Sequence, residues 1–200
     1  MLYMKWADST GGICKSHQTL TMKNIPVAFL TVFLLTCIGN CQPVEKKTAD
    51  GFGLNSITFY SSRCKGTCPD ITLEIDGFKN FQLIRQIVDN KGLIDTVASG
   101  GFKGQLSEGE YKKTVGILAK VDWDHITFPD VQCCDGPVVS IIISYYKNGN
   151  KNRRFRSMTP PKEASAVIDY LEEMALKTNL PKYDKPMDFI GYELPEPVKQ

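Results

Sequence analysis

Arg63-Cys64-Lys65-Gly66-Thr67-Cys68-Pro69-Asp70-Ile71-Thr72-Leu73-Glu74-Ile75-Asp76-Gly77 carries two signals from which the rest of the chain can be read. Its second half alternates without exception. Ile71, Leu73 and Ile75 fall on one side, and Thr72, Glu74 and Asp76 on the other. Period two over such a run is a half-buried strand, with one face on a core and the other toward water. Asp76-Gly77 then predicts a hairpin, because both central residues of a type I′ turn take positive φ. The first half packs two cysteines, a glycine and a proline between this strand and the one before it.

Working outward, Ser56 to Ser61 is rich in β-branched and aromatic residues and predicts the preceding strand. Phe78 to Ile84 returns after the hairpin with Phe81 and Leu83 inward, and Asp89-Asn90-Lys91-Gly92 turns again. Leu93 to Val97 and Phe102 to Leu106 read as two weaker strands. Ser107-Glu108-Gly109-Glu110 is a capping box, and Tyr111, Val115 and Leu118 behind it share a helical face ending near Val121. Val138 to Tyr146 is a long apolar strand, turned back at Asn148-Gly149-Asn150 into Lys151 to Arg156. Arg153, Arg154 and Arg156 on that return suggest an edge strand or a solvated face. Thr159-Pro160 reads as the start of a second helix, striped by Val167, Ile168, Leu171 and Met174. From Leu180 the prolines leave an extended tail that can pack through Phe189, Ile190 and Tyr192. Hairpin-length connections imply antiparallel pairing. The expected architecture is a two-layer α+β domain, a mainly antiparallel sheet with two helices on one face.

The front end follows different rules. Ile25 to Leu35 is an eleven-residue apolar run behind Met22-Lys23-Asn24, with cysteines trailing at Cys37 and Cys41. A basic start, a short apolar stretch and a cleavage-like region are the anatomy of a secretory signal. Extended to Ile38 the run still has only 14 residues, and a membrane span needs about 20. We expect translation to start at Met22, and Cys37 or Cys41 to be the lipidated residue of a lipoprotein-type signal. Neither cysteine has the usual Gly, Ala or Ser immediately before it, and ordinary secretion is the fallback. The expected organisation is 1–40 upstream extension and signal, 41–53 tether, 54–178 domain and 179–200 Pro-rich tail. The full chain carries 24 basic and 22 acidic residues; removing Lys5, Lys15, Lys23 and Asp8 with the first 40 leaves 21 of each. A neutral domain has no electrostatic footprint for a polyanion, so nucleic acid is not an expected partner.

Four of the seven cysteines fall in the expected domain: Cys64, Cys68, Cys133 and Cys134. In an exported chain these read first as disulfides, with three possible connectivities. Cys133 with Cys134 would close a strained ring of adjacent residues. Cys64 with Cys68 is a local staple. Cross-pairing of the two clusters closes loops of roughly 65 to 70 residues, worth on the order of 4 kcal/mol in the chain-entropy model. Redox-active thiols and a metal site are the alternatives. Structural zinc usually takes Cys-x2-Cys knuckles, and adjacent cysteines suit a tetrahedron poorly. Cys-x3-Cys-Pro also resembles the copper loop of Sco-type thioredoxin-like chaperones. There a helix follows the loop and a distant histidine completes the site; here a strand follows, and His125 is the only histidine beyond the front end. No metal and no cofactor is assigned. His125 with Asp124 or Asp135 and a serine is a weak hydrolase reading without a nucleophile elbow.

The loop followed by an alternating strand and Asp-Gly resembles domain-of-unknown-function family 6438, over roughly Ser56 to Leu176. That family's pattern is a Cys-x-Gly-x-Cys-Pro loop after the first strand, with an aspartate just before a later strand pair. Gly66, Cys68 and Pro69 match the loop, and Asp135 is the candidate for the aspartate. Lys65 stands where a bulkier residue is common, and Cys133-Cys134 lies outside the pattern. Many members look like secreted or lipid-anchored bacterial proteins, and no activity is assigned to the family. The resemblance therefore implies fold extent and compartment, and no reaction. Arg63, Cys64, Gly66, Cys68, Pro69 and Asp135 are the candidate binding residues. The expected function is an exported, lipid-anchored envelope domain that binds an envelope protein or small ligand without catalysis. The alternative is a thiol-redox or metal-binding protein using Cys64 and Cys68.

Overall fold

A computed structural model describes residues 51–130 and 135–191. The alternating stretch becomes a strand at its expected bounds, β2 (Asp70–Asp76). It follows β1 (Gly53–Ser61) and precedes β3 (Asn80–Gln86) and β4 (Gly100–Gln105). Helix α1 (Glu108–Leu118), strands β5 (Val139–Tyr146) and β6 (Asn150–Ser157) and helix α2 (Lys162–Lys177) complete the order. The strands form one sheet in the order β4-β3-β2-β1-β5-β6, with every neighbouring pair antiparallel. The fold is α+β, and the arginine-bearing β6 is an edge strand.

The alternation decides the layers. Ile57, Phe59, Ile71, Leu73, Ile75, Phe81, Leu83, Ile141 and Ile143 point to one face and form a single buried apolar cluster. Val115 and Leu118 of α1 and Val167, Ile168 and Leu171 of α2 join that cluster, so both helices cover this face. The helices touch each other where the Thr114 hydroxyl meets the Tyr170 hydroxyl at 3.2 Å. The capping box forms as expected: the Ser107 side chain accepts from the Glu110 amide, and the Glu110 carboxylate from the Ser107 amide at 2.9 Å. Arg85, buried on the helix face, donates to the carbonyls of Ala175 and Leu176 and so satisfies the last turn of α2.

Several local expectations are corrected. Leu93 to Val97 forms no strand, only an isolated bridge between Val88 and Ile94. The Asp89 carboxylate accepts the amides of Lys91 and Leu93, and Asp95 accepts those of Val97 and Ala98. Those side chains take the donors that a sheet ladder would need. Helix α2 starts at Lys162, not at Pro160, because the residue before a proline is pushed to extended backbone and Pro160 precedes Pro161. Helix α1 stops at Leu118, whose carbonyl accepts from the Trp123 indole at 2.9 Å. The hairpin at Asp76-Gly77 exists, but Lys79, not Gly77, takes the positive φ, 70°. Asp76 Oδ1 accepts from the amides of Phe78 and Asn80, an Asx-type turn. Gly77 is needed for space, since a Cβ there would stand 2.8 Å from the Leu54 carbonyl oxygen.

The tail does more than the sequence suggests. After α2, Lys182 bridges to Phe102 at the β4 edge, and the chain then crosses the face opposite the helices. It follows one register row, Lys103–Gln82–Glu74–Thr58–Ile142–Arg154. The Lys103 ammonium lies 5.2 Å over the Tyr183 ring, and Gln82 donates to the Asp188 carbonyl at 2.6 Å. Glu74 accepts from the Ile190 amide, the Thr58 hydroxyl donates to the Ile190 carbonyl at 3.0 Å, and Arg154 donates to the Gly191 carbonyl at 2.8 Å. Phe189 is buried as expected, whereas the Ile190 side chain is 57% exposed and holds on through its main chain. Tyr192, like the expected signal segment with Cys37 and Cys41, lies outside the described residues.

Candidate functional site

β1 ends at Ser61 and β2 begins at Asp70, so the intervening loop sits at the end of the sheet where β5 begins. Cys64 and Cys68 are joined by a disulfide with Cα atoms 5.3 Å apart, the local staple among the three connectivities. Cys133 and Cys134 lie outside the described residues. Beyond the last β1–β5 pair, Ser61 with Val139, hydrogen bonding continues into the loop. The Ser62 amide donates to the Val138 carbonyl at 3.0 Å, and the Val138 amide to the Ser62 hydroxyl at 2.8 Å. The Lys65 amide donates to the Asp135 carbonyl at 3.0 Å. The loop is therefore fixed at both ends and once in the middle.

Asp135 is brought to the loop, and the Lys65 ammonium stands 3.5 Å from its carboxylate. Both side chains are mostly in water, 79% and 64% exposed, and such pairs are worth about 0–1 kcal/mol. Arg63, Lys65, Gly66 and Thr67 are exposed, while Cys64, Cys68 and Pro69 are half-buried. Pro69, which has no amide to donate, stands immediately before β2 and leaves its ladder intact. Gly66 lies outside the left-handed region, and a Cβ added there would meet only Cys64 Sγ, at 3.6 Å. The disulfide and the Asp135 carbonyl shape the loop without a strained glycine.

Two acids at this end escaped sequence reasoning. Asp70, the first residue of β2, has its carboxyl pushed up by burial, with the Arg63 guanidinium pulling it partly back. Glu172 on α2 is also pushed up by burial, against a hydrogen bond from the Ser61 hydroxyl at 3.1 Å. Asp70 was legible as the polar start of β2. Glu172 was not, because it reaches the loop end only through the crossing of α2 over the sheet.

The hydrolase reading of His125 fails on geometry. Its Nδ1 lies 2.8 Å from Asp122, and the ring is exposed. Asp124 is engaged elsewhere: it accepts from the Tyr145 hydroxyl at 3.0 Å, from Arg153 at 2.7 Å and from Lys151. The Lys151 hydrogen bond leads in holding the Asp124 carboxyl down to about 2, while burial and the Asp124 contact push Tyr145 up to about 12. This is a structural hub that ties the connection after α1 to the β5–β6 hairpin.

A six-stranded antiparallel sheet backed by two helices, with a stapled loop between its first two strands, defines a small α+β domain. The family model described as Domain of unknown function (DUF6438) matches residues 55–175, and the chain belongs to that family. No curated protein matches the chain.

Proposed function

We propose that this chain is an exported, lipid-anchored envelope domain that acts as a non-catalytic binding or structural module, with the loop Ser62–Pro69 and Asp135 as its recognition end. The carrying observation is the fixed, outward-facing loop: a disulfide and main-chain bonds to Asp135 and Val138 hold Arg63, Lys65 and Thr67 in solvent. Preorganised polar side chains on a rigid loop bind without first losing conformational freedom. The chain enters β1 at Gly53, at the opposite end of the sheet, roughly 27 Å away at the strand rise per residue. The attachment point of a tether and the recognition loop are thus separated by the length of the strand. A disulfide of this kind persists in oxidising compartments, which supports export together with the apolar run Ile25 to Leu35. The partner is an envelope protein or a small ligand. Intact mass of membrane-extracted protein tests the placement: a chain beginning at Cys37 or Cys41 with added acyl mass is expected, and a full-length unlipidated chain in the cytosol contradicts it.

A second reading, an envelope thiol-redox or metal-binding protein, is favoured by one observation: Arg63 and Lys65 flank Cys64 in sequence and would place two positive charges near a thiolate formed there on reduction. Reduced protein that turns over a disulfide substrate, or binds Cu(I) or Zn(II) through Cys64 and Cys68, would select that reading.

A further inference from the structure

The strap from Lys182 to Gly191 lies on the sheet as a bound peptide lies on a receptor. Gln82, Glu74, Thr58 and Arg154 all address main-chain groups of the strap, namely the carbonyls of Asp188, Ile190 and Gly191 and the amide of Ile190. No side chain of residues 188, 190 or 191 is read by these contacts. Apolar selection falls on alternate positions: Phe189 is buried, and Met187 packs where a Cβ on Gly101 would stand 2.6 Å from its terminal methyl carbon. Asp188 and Ile190 face solvent. The strap thus places apolar side chains inward at i and i+2 and then turns at Ile190–Gly191, where Gly191 takes a φ of 68° and the polar side chains of the sheet meet the backbone. Main-chain recognition with pockets for alternate side chains is how extended peptides are held. The strap is also poorly integrated into the fold. Among the described residues it makes one β-bridge, Lys182 with Phe102, and most of its residues are exposed, the marks of a segment that opens locally at low cost.

We infer that the sheet face opposite the helices is a binding site for a short peptide segment of a partner protein, bearing apolar side chains two residues apart and a turn after the second, and that residues 187–191 occupy it in cis until displaced. This site is separate from the loop end, and neither reading depends on the other.

The test uses the full chain and a labelled peptide of the resident sequence, Lys185 to Gly191. Ile190→Pro removes the amide that Glu74 accepts and leaves the sheet unchanged. The peptide should bind this variant at least about tenfold more tightly than the wild-type chain, in which the cis segment competes. N-methylation of the peptide at the isoleucine should cost about tenfold, the worth of one charge-assisted hydrogen bond. Serine at both the aspartate and isoleucine positions should change affinity less than about threefold, because those side chains are not read. Should the variant fail to fold, hydrogen exchange on the wild-type chain decides. Excess peptide should accelerate exchange at the Tyr183 and Ile190 amides, and unchanged exchange would overturn the inference. Peptide binding indifferent to N-methylation would also overturn it. So would a concentration-dependent dimer without peptide uptake, which assigns the face to a second copy.

Discussion

Lys65 and Asp135 meet twice, once through the main chain, amide to carbonyl at 3.0 Å, and once through the side chains, Nζ to Oδ2 at 3.5 Å. The two contacts differ in weight. The main-chain bond fixes the loop, and the exposed ion pair adds about 0–1 kcal/mol. Asp135→Ala should therefore leave the denaturation midpoint nearly unchanged, because its carbonyl remains. A large loss of stability would mean that the carboxylate itself holds the loop.

The disulfide sets a second expectation. With a sequence separation of only four, Cys64–Cys68 closes a short loop worth about 2 kcal/mol in the chain-entropy model, against about 4 kcal/mol for a bridge to Cys133 or Cys134. Cys64→Ser, compared with wild type by chemical denaturation, should cost about 2 kcal/mol. A loss near 4 kcal/mol would point to pairing between the clusters.

Two glycine variants separate the loop from the strap. A Cβ on Gly101 would stand 2.6 Å from the Tyr183 carbonyl oxygen, whereas one on Gly66 would meet only Cys64 Sγ at 3.6 Å. Gly101→Val should destabilise by about 1–3 kcal/mol through overpacking, and Gly66→Val by less than about 0.5 kcal/mol. Equal effects in thermal melts would contradict the packing of the strap on β4.

The Glu74 carboxyl is pushed above its ordinary value by burial first, while the Ile190 amide and the Thr58 hydroxyl pull it down. An acid whose pKa is raised by folding contributes stability that is fully present below the unfolded value and lost as pH rises through the folded one. Glu74→Gln keeps the acceptor for Ile190 and removes the titration. Its stability relative to wild type should rise between pH 4 and pH 7. Asp70 and Glu172 shift the same way but cancel in the comparison. A difference that stays flat with pH, or falls, would show that the hydrogen bonds outweigh burial.

How far the sequence could be read depends on where each signal lives. The β2 alternation, the capping box and the arginine-rich edge β6 are local patterns, and local patterns survived folding. Leu93 to Val97 looked like a strand because its residues are apolar, but Asp89 and Asp95 spend its amides in turns. The strap was half legible. Proline excluded regular structure and Phe189 marked burial, yet its main-chain contacts to Glu74 and Thr58 leave no periodicity to detect. At the site, the cysteine loop was plain, and Asp135 was reachable only through the family resemblance. Glu172 and the loop meet through tertiary packing alone.

A structural staple at Cys64–Cys68 keeps both cysteines oxidised in the native protein and holds the loop in place. Differential alkylation of native, membrane-extracted protein, read by mass at Cys64 and Cys68 before and after reductant, tests it most directly when paired with a melting curve of each form. The account predicts no alkylation at either cysteine until reductant is added, and a lower melting temperature once the pair is reduced. Native alkylation at Cys64 or Cys68, or reduction that leaves the melting temperature unchanged, would contradict it.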